Sequence, residues 1–424
     1  MNSDRGQRDH LIKIRGLSQS QVTNEPRYSM MRSQFVLALV LAAVTSSVTA
    51  QVPSTQTEAG MDPERLSRIP VRMKELVEAG TVSGAVTLVA QHGVVASLHA
   101  VGYSDREGKT PMRTDTIVLI RSMTKSVTAV AIMILLEDGR LLLSDPVEKY
   151  VPEFRSQTIN DSRGSQSTAG SQTPARPITI RDMLTHTSGV GAPPPDVLKQ
   201  PFAMRTLAEL AGLPGGWPRQ FEPGARWAYS DFGYLVLGRV IEVVSGQAYE
   251  QFVADRVLTP LGMADSFFAP PAEKRGRIAG DEAITLALYP PGAKFSSPAA
   301  GMHSTASDVA AFYQMLLNRG LHKGRRVLSS SAVDLMTAVQ TGSLQAGFLP
   351  GTGWGLGLEV VRERVGILPV GSFGHGTAGG SYAWAHPGRD LVGVILSWGA
   401  GRGDSAAAMV RDVLMVMTEA TVGN

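Results

Sequence analysis

Ser122 and Lys125 stand three residues apart in Arg121-Ser122-Met123-Thr124-Lys125-Ser126, and no other Ser-x-x-Lys occurs in the chain. On a helix that spacing puts the hydroxyl and the ammonium on one face. The run that follows, Val127 to Leu136, is apolar everywhere except Thr128 and is ended by Glu137-Asp138-Gly139. A helix apolar on all sides belongs inside a protein. The first turn of such a helix carries a partial positive charge, and together with burial this disfavours a charged Lys125. A depressed lysine can serve as base to a serine nucleophile, and the Ser122 N–H can face an oxyanion on an attacked carbonyl. The plainer alternative is a surface Ser and Lys at a helix start.

Two further segments can complete such a site. Tyr229-Ser230-Asp231 precedes a helical pattern, so Ser230 or Asp231 can cap that helix while the Tyr229 phenol shares proton transfers. Tyr103-Ser104-Asp105 has the same letters but follows a strand pattern and reads as a solvated turn. Phe373-Gly374-His375-Gly376-Thr377-Ala378-Gly379-Gly380 is dense in glycine beside a strand, which lets backbone approach a ligand closely. An amide there, that of Ala378 for example, can be the second oxyanion donor.

The elements that must position these groups follow from periodicity. A helix is predicted between Met61 and Gly80, then a hairpin of Ala85–Ala90 and Val94–Val101 around Gln91-His92-Gly93. The glycine-bearing loop 102–110 has the wrong spacing for a phosphate loop and precedes no helix. Residues 155–177 read as a polar surface insertion. A short helix over Ile178–Leu184 leads into Thr185-His186-Thr187-Ser188-Gly189, where His186 reads as a hydrogen-bonded structural histidine. Helices are predicted at Asp231–Ser245 (stopped by Gly246), Ala248–Leu258, Ala306–Asn318 and Ser330–Val339. Strands follow at Trp354–Val361, Gly371–His375, Ser381–His386 and Leu391–Trp398, with a closing helix at Ala406–Met417. The expected fold is α/β of the α+β kind: an antiparallel sheet built from N- and C-terminal segments and flanked by helices, with an inserted, mostly helical region. Residues 61–424 form a single domain in this reading, with 61–115 and 350–424 as sheet region and 116–349 as helical region.

Composition narrows the chemistry. The 424 residues include no cysteine, which excludes disulfides, thiolate metal sites and a catalytic thiol. The eight histidines are scattered without an H-E-x-x-H pair, so the sequence supports no metal site. Of 40 basic and 37 acidic side chains, six and three lie within residues 1–50, so the remainder is balanced and offers no field for nucleic acid or anionic lipid. Met31-Arg32-Ser33-Gln34, the apolar run Phe35–Val44, and small residues up to Ala50 form a secretory signal pattern. The apolar run is well short of the roughly 20 residues a membrane span needs. Residues 1–50 therefore read as an upstream extension plus signal peptide, with translation starting at Met30 or Met31. The mature protein is expected to be periplasmic or secreted, with no stable membrane anchor.

Ser122-Met123-Thr124-Lys125, Tyr229-Ser230-Asp231 and His375-Gly376-Thr377, in that order with strands at both ends, resemble the serine β-lactamase-related superfamily. That group includes class C β-lactamases, family VIII esterases and D-Ala-D-Ala carboxypeptidases. The likeness runs from about residue 61 to the C-terminus and extends to Leu184–Gly189, Phe221-Glu222-Pro223-Gly224 and Pro260-Leu261-Gly262-Met263. It implies a β-lactamase/transpeptidase-like fold with Ser122 as acylated nucleophile, Lys125 and Tyr229 handling protons, and the Ser122 and Ala378 amides as oxyanion hole. Asp231, His375, Gly376 and Thr377 would contact substrate, and no cofactor is implied. Two residues depart from the β-lactamase pattern: Asp231 replaces the usual Asn, and His375 replaces the Lys of Lys-Thr-Gly. Both weaken binding of an anionic β-lactam and shift the expectation toward short-chain or aryl esters, with a β-lactamase, a D-amino-acid peptidase or a non-catalytic homologue as alternatives.

Overall fold

The computed structural model describes residues 59–421 apart from 106, 108, 160–172, 192, 194–196, 198–203, 281–291 and 400–403. The signal pattern lies outside these residues, as does most of the 155–177 insertion. Helix α1 (Pro63–Glu78) starts where the Asp62 carboxylate accepts the amide hydrogens of Glu64 and Arg65, an N-cap that satisfies free donors of the first turn. It buries Leu66, Ile69, Met73 and Leu76, spaced to form one face.

The sheet has seven strands: β1 (Gly84–Gln91), β2 (Val94–Gly102), β3 (Thr352–Trp354), β4 (Glu359–Val361), β5 (Phe373–Gly376), β6 (Tyr382–His386) and β7 (Leu391–Trp398). Their order is β2-β1-β7-β6-β5-β4-β3, antiparallel at every junction. The join between the two ends of the chain is β1 on β7, in register from Gly84 opposite Trp398 to Gln91 opposite Leu391. Every residue of β1 is buried, because both faces of the sheet are covered. Ala85 and Val89 of β1 pack with α1 and with α5 (Asp404–Thr421), while Val86 and Leu88 face the larger helical core.

Helix α2 (Thr124–Glu137) runs through that larger core and is buried from Thr124 to Leu135. Around it pack α3 (Asp231–Ser245) and α4 (Ala306–Leu317). Thr128 is satisfied inside the core by the Pro298 carbonyl at 2.7 Å and the Tyr249 hydroxyl at 2.7 Å, so one polar residue in an apolar helix goes unpunished.

Three local expectations are corrected. Ser122 does not belong to the α-helix: Arg121–Met123 form a separate 3₁₀ turn, and α2 begins at Thr124. Trp354–Val361 is not one strand but the β3–β4 hairpin, because the chain reverses at Gly355-Leu356-Gly357-Leu358 with Gly357 at φ 79°. The segment Ala248–Leu258 starts as an α-helix over Tyr249–Val253 and widens into a π-turn over Ala254–Leu258.

Candidate active site

The Ser122 turn is set by backbone on both sides. Ile120 N–H donates to Met302 O at 2.9 Å, and Met302 N–H donates to Thr124 Oγ1 at 3.2 Å. Arg121, just before the serine, has a left-handed backbone (φ 43°). Non-glycine residues held there cost about 1–3 kcal/mol and cluster where function over-determines the chain. Ser122 is left partly exposed while Met123 and the residues beyond it are buried.

Lys125 is fully buried, and its amine has three polar neighbours. Nζ donates to Ala299 O at 2.8 Å, sits 2.6 Å from Asp231 Oδ1, and lies 3.4 Å from Ser122 Oγ. Burial pulls the Lys125 pKa below its ordinary value, and the Asp231 carboxylate only partly restores it. A neutral amine has two hydrogens and one lone pair. Ala299 O and the Asp231 carboxylate can only accept, so they take the two hydrogens and leave the lone pair for the Ser122 hydroxyl.

Tyr229 is brought against this pair by the turn before α3. Ser230 Oγ caps α3 by accepting from Gly233 N–H at 3.2 Å. Lys125 Nζ lies 4.7 Å from the Tyr229 ring centre. The Tyr229 hydroxyl is buried, and it faces the Ser122 side chain. Burial is the main cause that raises its pKa far above the ordinary phenol value, and hydrogen bonding to Ser122 opposes it. Tyr229 therefore rests as a phenol.

His186 holds that turn. Its Nδ1 accepts Ser230 N–H at 3.1 Å, its carbonyl accepts Ala228 N–H at 2.9 Å, and its ring lies 4.3 Å from that of Tyr229. Burial, then Lys125 and His375, keep it neutral, well below the ordinary histidine pKa.

His375 is buried on β5, and its ring centre is 6.2 Å from that of Tyr229. Its Nδ1 donates to Gly376 O at 2.8 Å, since a carbonyl cannot donate, which leaves a lone pair on a buried Nε2 with no partner among the described residues. Burial pushes its pKa down to about 3. Strand β5 packs on the Arg121–Met123 turn. Ala378 is not on that strand: it is exposed in the turn that follows, where Thr377 Oγ1 accepts Gly379 N–H at 3.2 Å and Thr377 N–H donates to Ser381 O at 2.9 Å. A Cβ built on neighbouring Gly379 would lie 3.7 Å from Arg121 Nε, so this turn borders the Ser122 turn. Gly376 cannot carry a side chain, as a Cβ would stand 2.5 Å from the Tyr382 ring.

The structure thus gathers Ser122, Lys125, Tyr229, Asp231 and His375 into one site with the Gly376–Ala378 segment beside it. Tyr103, in contrast, is exposed at the end of β2. Sequence reasoning missed two members: Ala299, which acts through a carbonyl that every residue has, and the aromatic wall of Trp227, Phe348 and Trp354; His186 is the hydrogen-bonded structural histidine expected, and what it holds is the Tyr229 turn.

The sheet order, with Ser122 in a turn just ahead of a buried helix whose first turn carries Lys125, is that of the β-lactamase and penicillin-binding-protein fold. The chain belongs to the Beta-lactamase family, whose model matches residues 72–414. Protein Rv1367c of Mycobacterium tuberculosis is 34% identical over 352 residues, covering 76% of this chain and 86% of that protein. Esterase EstB of Burkholderia gladioli is 29% identical over 301 residues, covering 60% and 72%. Among solved structures, EstCE1, described as a hydrolase with promiscuous acyltransferase activity, superposes with a TM-score of 0.68 at 24% identity, covering 83% of this chain and 99% of that one.

Proposed function

We propose that the protein is a serine hydrolase that forms an acyl-enzyme on Ser122 and acts on short-chain or aryl esters. The observation that carries this reading is the fully buried Lys125 amine 3.4 Å from Ser122 Oγ, with its hydrogens directed elsewhere. As Ser122 Oγ attacks the ester carbonyl, its proton passes to Lys125. The Ser122 and Ala378 amides hold the oxyanion. Collapse breaks the bond to the alcohol, which leaves with a proton relayed through Tyr229, and Ser122 stays acylated. Water then attacks the acyl-enzyme and gives its proton to the same pair; the acid departs and the Ser122 hydroxyl is restored.

The choice of esters over β-lactams rests on charge. The third motif presents a neutral imidazole where a lysine would attract a carboxylate, and the Asp231 side chain, 62% exposed, adds negative charge at the mouth. Relatives of this chain include a named esterase. Export follows from the signal pattern up to Ala50, and N-terminal sequencing of secreted protein checks it.

Offered side by side, nitrophenyl butyrate should be turned over much faster than a chromogenic cephalosporin. The reverse ranking makes the protein a β-lactamase. A fluorophosphonate should add one adduct by intact mass to the wild type and none to Ser122→Ala. An unlabelled wild type makes the protein a binding homologue.

A further inference from the structure

Phe348 is the exposed member of the aromatic group around Tyr229. Half of its surface is open to solvent, yet its ring centre is 5.1 Å from Tyr229, 5.7 Å from Trp227 and 5.9 Å from Trp354. The latter two contacts are edge-on. Trp227 also lines a cavity of about 490 Å³ with Phe221 and Arg226. An apolar ring left open beside buried and partly buried aromatics is a surface that a ligand can cover.

The loop that carries Phe348 is fixed from below by a carboxylate that the proposed chemistry does not use. Glu359 on β4 is buried, and its Oε1 accepts Phe348 N–H at 2.7 Å, Leu349 N–H at 3.2 Å and the Thr352 hydroxyl at 2.9 Å. Gly347 makes this approach possible: it has φ 90°, and a Cβ there would lie 2.2 Å from Thr352 Oγ1 and 2.8 Å from Glu359 Oε1. Burial pushes the Glu359 pKa up, and these three donors oppose that by favouring its carboxylate. Phe348 is thus a wall anchored at its own backbone amide rather than a loose surface ring.

We propose that Phe348 is the specificity-determining wall for an aromatic ring on the alcohol side of the ester. The side follows from the chemistry proposed above, on which this inference rests: Tyr229 relays the proton to the departing alcohol, so the group on that oxygen lies along Tyr229, where Phe348 stands. Offset and edge-to-face ring pairs add attraction beyond burial alone, so an aryl alcohol gains more than an alkyl one.

The test measures binding in a Ser122→Ala background, so that turnover does not enter. Calorimetry compares benzyl propyl ketone, an isostere of an aryl butyrate, with dipropyl ketone. Adding Phe348→Ala should weaken the aryl ketone about three- to tenfold and the alkyl ketone by much less. Phe348→Leu keeps an apolar side chain and should show the same selective loss. Equal weakening of both ketones, no change in either, or no binding of either before Phe348 is altered overturns the assignment. Selective loss in a protein whose wild type hydrolyses no ester would leave Phe348 as a wall for aromatic rings and remove the esterase reading, and with it the assignment to the alcohol side.

Discussion

Asp231 Oδ1 stands 2.6 Å from Lys125 Nζ, joining a carboxylate largely open to water with an amine that has no exposure at all. The pair opposes the main effect on that amine: burial drives Lys125 toward its neutral form, and Asp231 favours the charged one. Where the second motif ends in Asn this opposition is absent. In the proposed mechanism, the pH at which Lys125 becomes available as a base is therefore set by the balance of the two.

That balance can be shifted. A base works when deprotonated, so ester turnover should rise with pH through the depressed Lys125 pKa. Asp231→Asn removes the group that stabilises the ammonium, and the acidic limb of the kcat/KM profile should move to lower pH. A limb that stays in place or moves upward would separate Asp231 from the proton inventory.

Tyr229→Phe should lower kcat by about a hundredfold or more, the usual scale of a proton relay. Tyr103→Phe should leave it unchanged, since Tyr103 is exposed at the end of β2. Steady-state rates on nitrophenyl butyrate decide between the two tyrosines.

His186 fixes the backbone on both sides of Tyr229 through Ala228 N–H and Ser230 N–H. His186→Leu removes the Nδ1 acceptor and should reduce kcat by about a hundredfold, the scale of a small misplacement of a reacting group. His186→Asn keeps an acceptor near the Nδ1 position and should recover part of the rate. Equal loss in both variants, with matching melting temperatures, would argue against the clamp.

Acid should destabilise the protein in a defined window. His375 and His303 have folded pKa values of about 3 and about 4, against 6.5 when unfolded, because burial disfavours their charged forms. The folded state then binds fewer protons than the unfolded one between these values. Their contribution is present above pH 6.5 and is lost as pH falls toward 4 and 3. Melting temperature followed from pH 7 to pH 4 should decline, and His375→Asn should flatten that decline.

Gly357 lies against the centre of the core helix. It has φ 79°, and a Cβ there would meet the Ala129 Cβ at 2.4 Å, while its carbonyl accepts the Ser126 hydroxyl at 2.9 Å. Gly357→Ala should cost about 1–3 kcal/mol of stability, as overpacking does. Urea denaturation measures it.

The order of the three motifs, the apolar run after Lys125 and the strand patterns at both ends are properties of residue type and spacing, and these were legible along the chain. Helix α3 ends where Gly246 allows a left-handed backbone, and β7 spans the residues its apolar run marks. Other features depend on residues far apart in sequence. The Ala299 carbonyl reaches Lys125 across 174 positions, and His186 meets Ser230 across 44. Backbone carbonyls and amides are common to almost every residue, so nothing in their letters marks which of them will face a site. The same holds for the wall at Phe348: an exposed phenylalanine in a glycine-bearing loop has no signature until packing sets it beside Tyr229. Local pattern therefore marked most of the elements and the candidate side chains, while the Gly355–Leu358 reversal and the partners that tune and frame the site were decided by long-range packing.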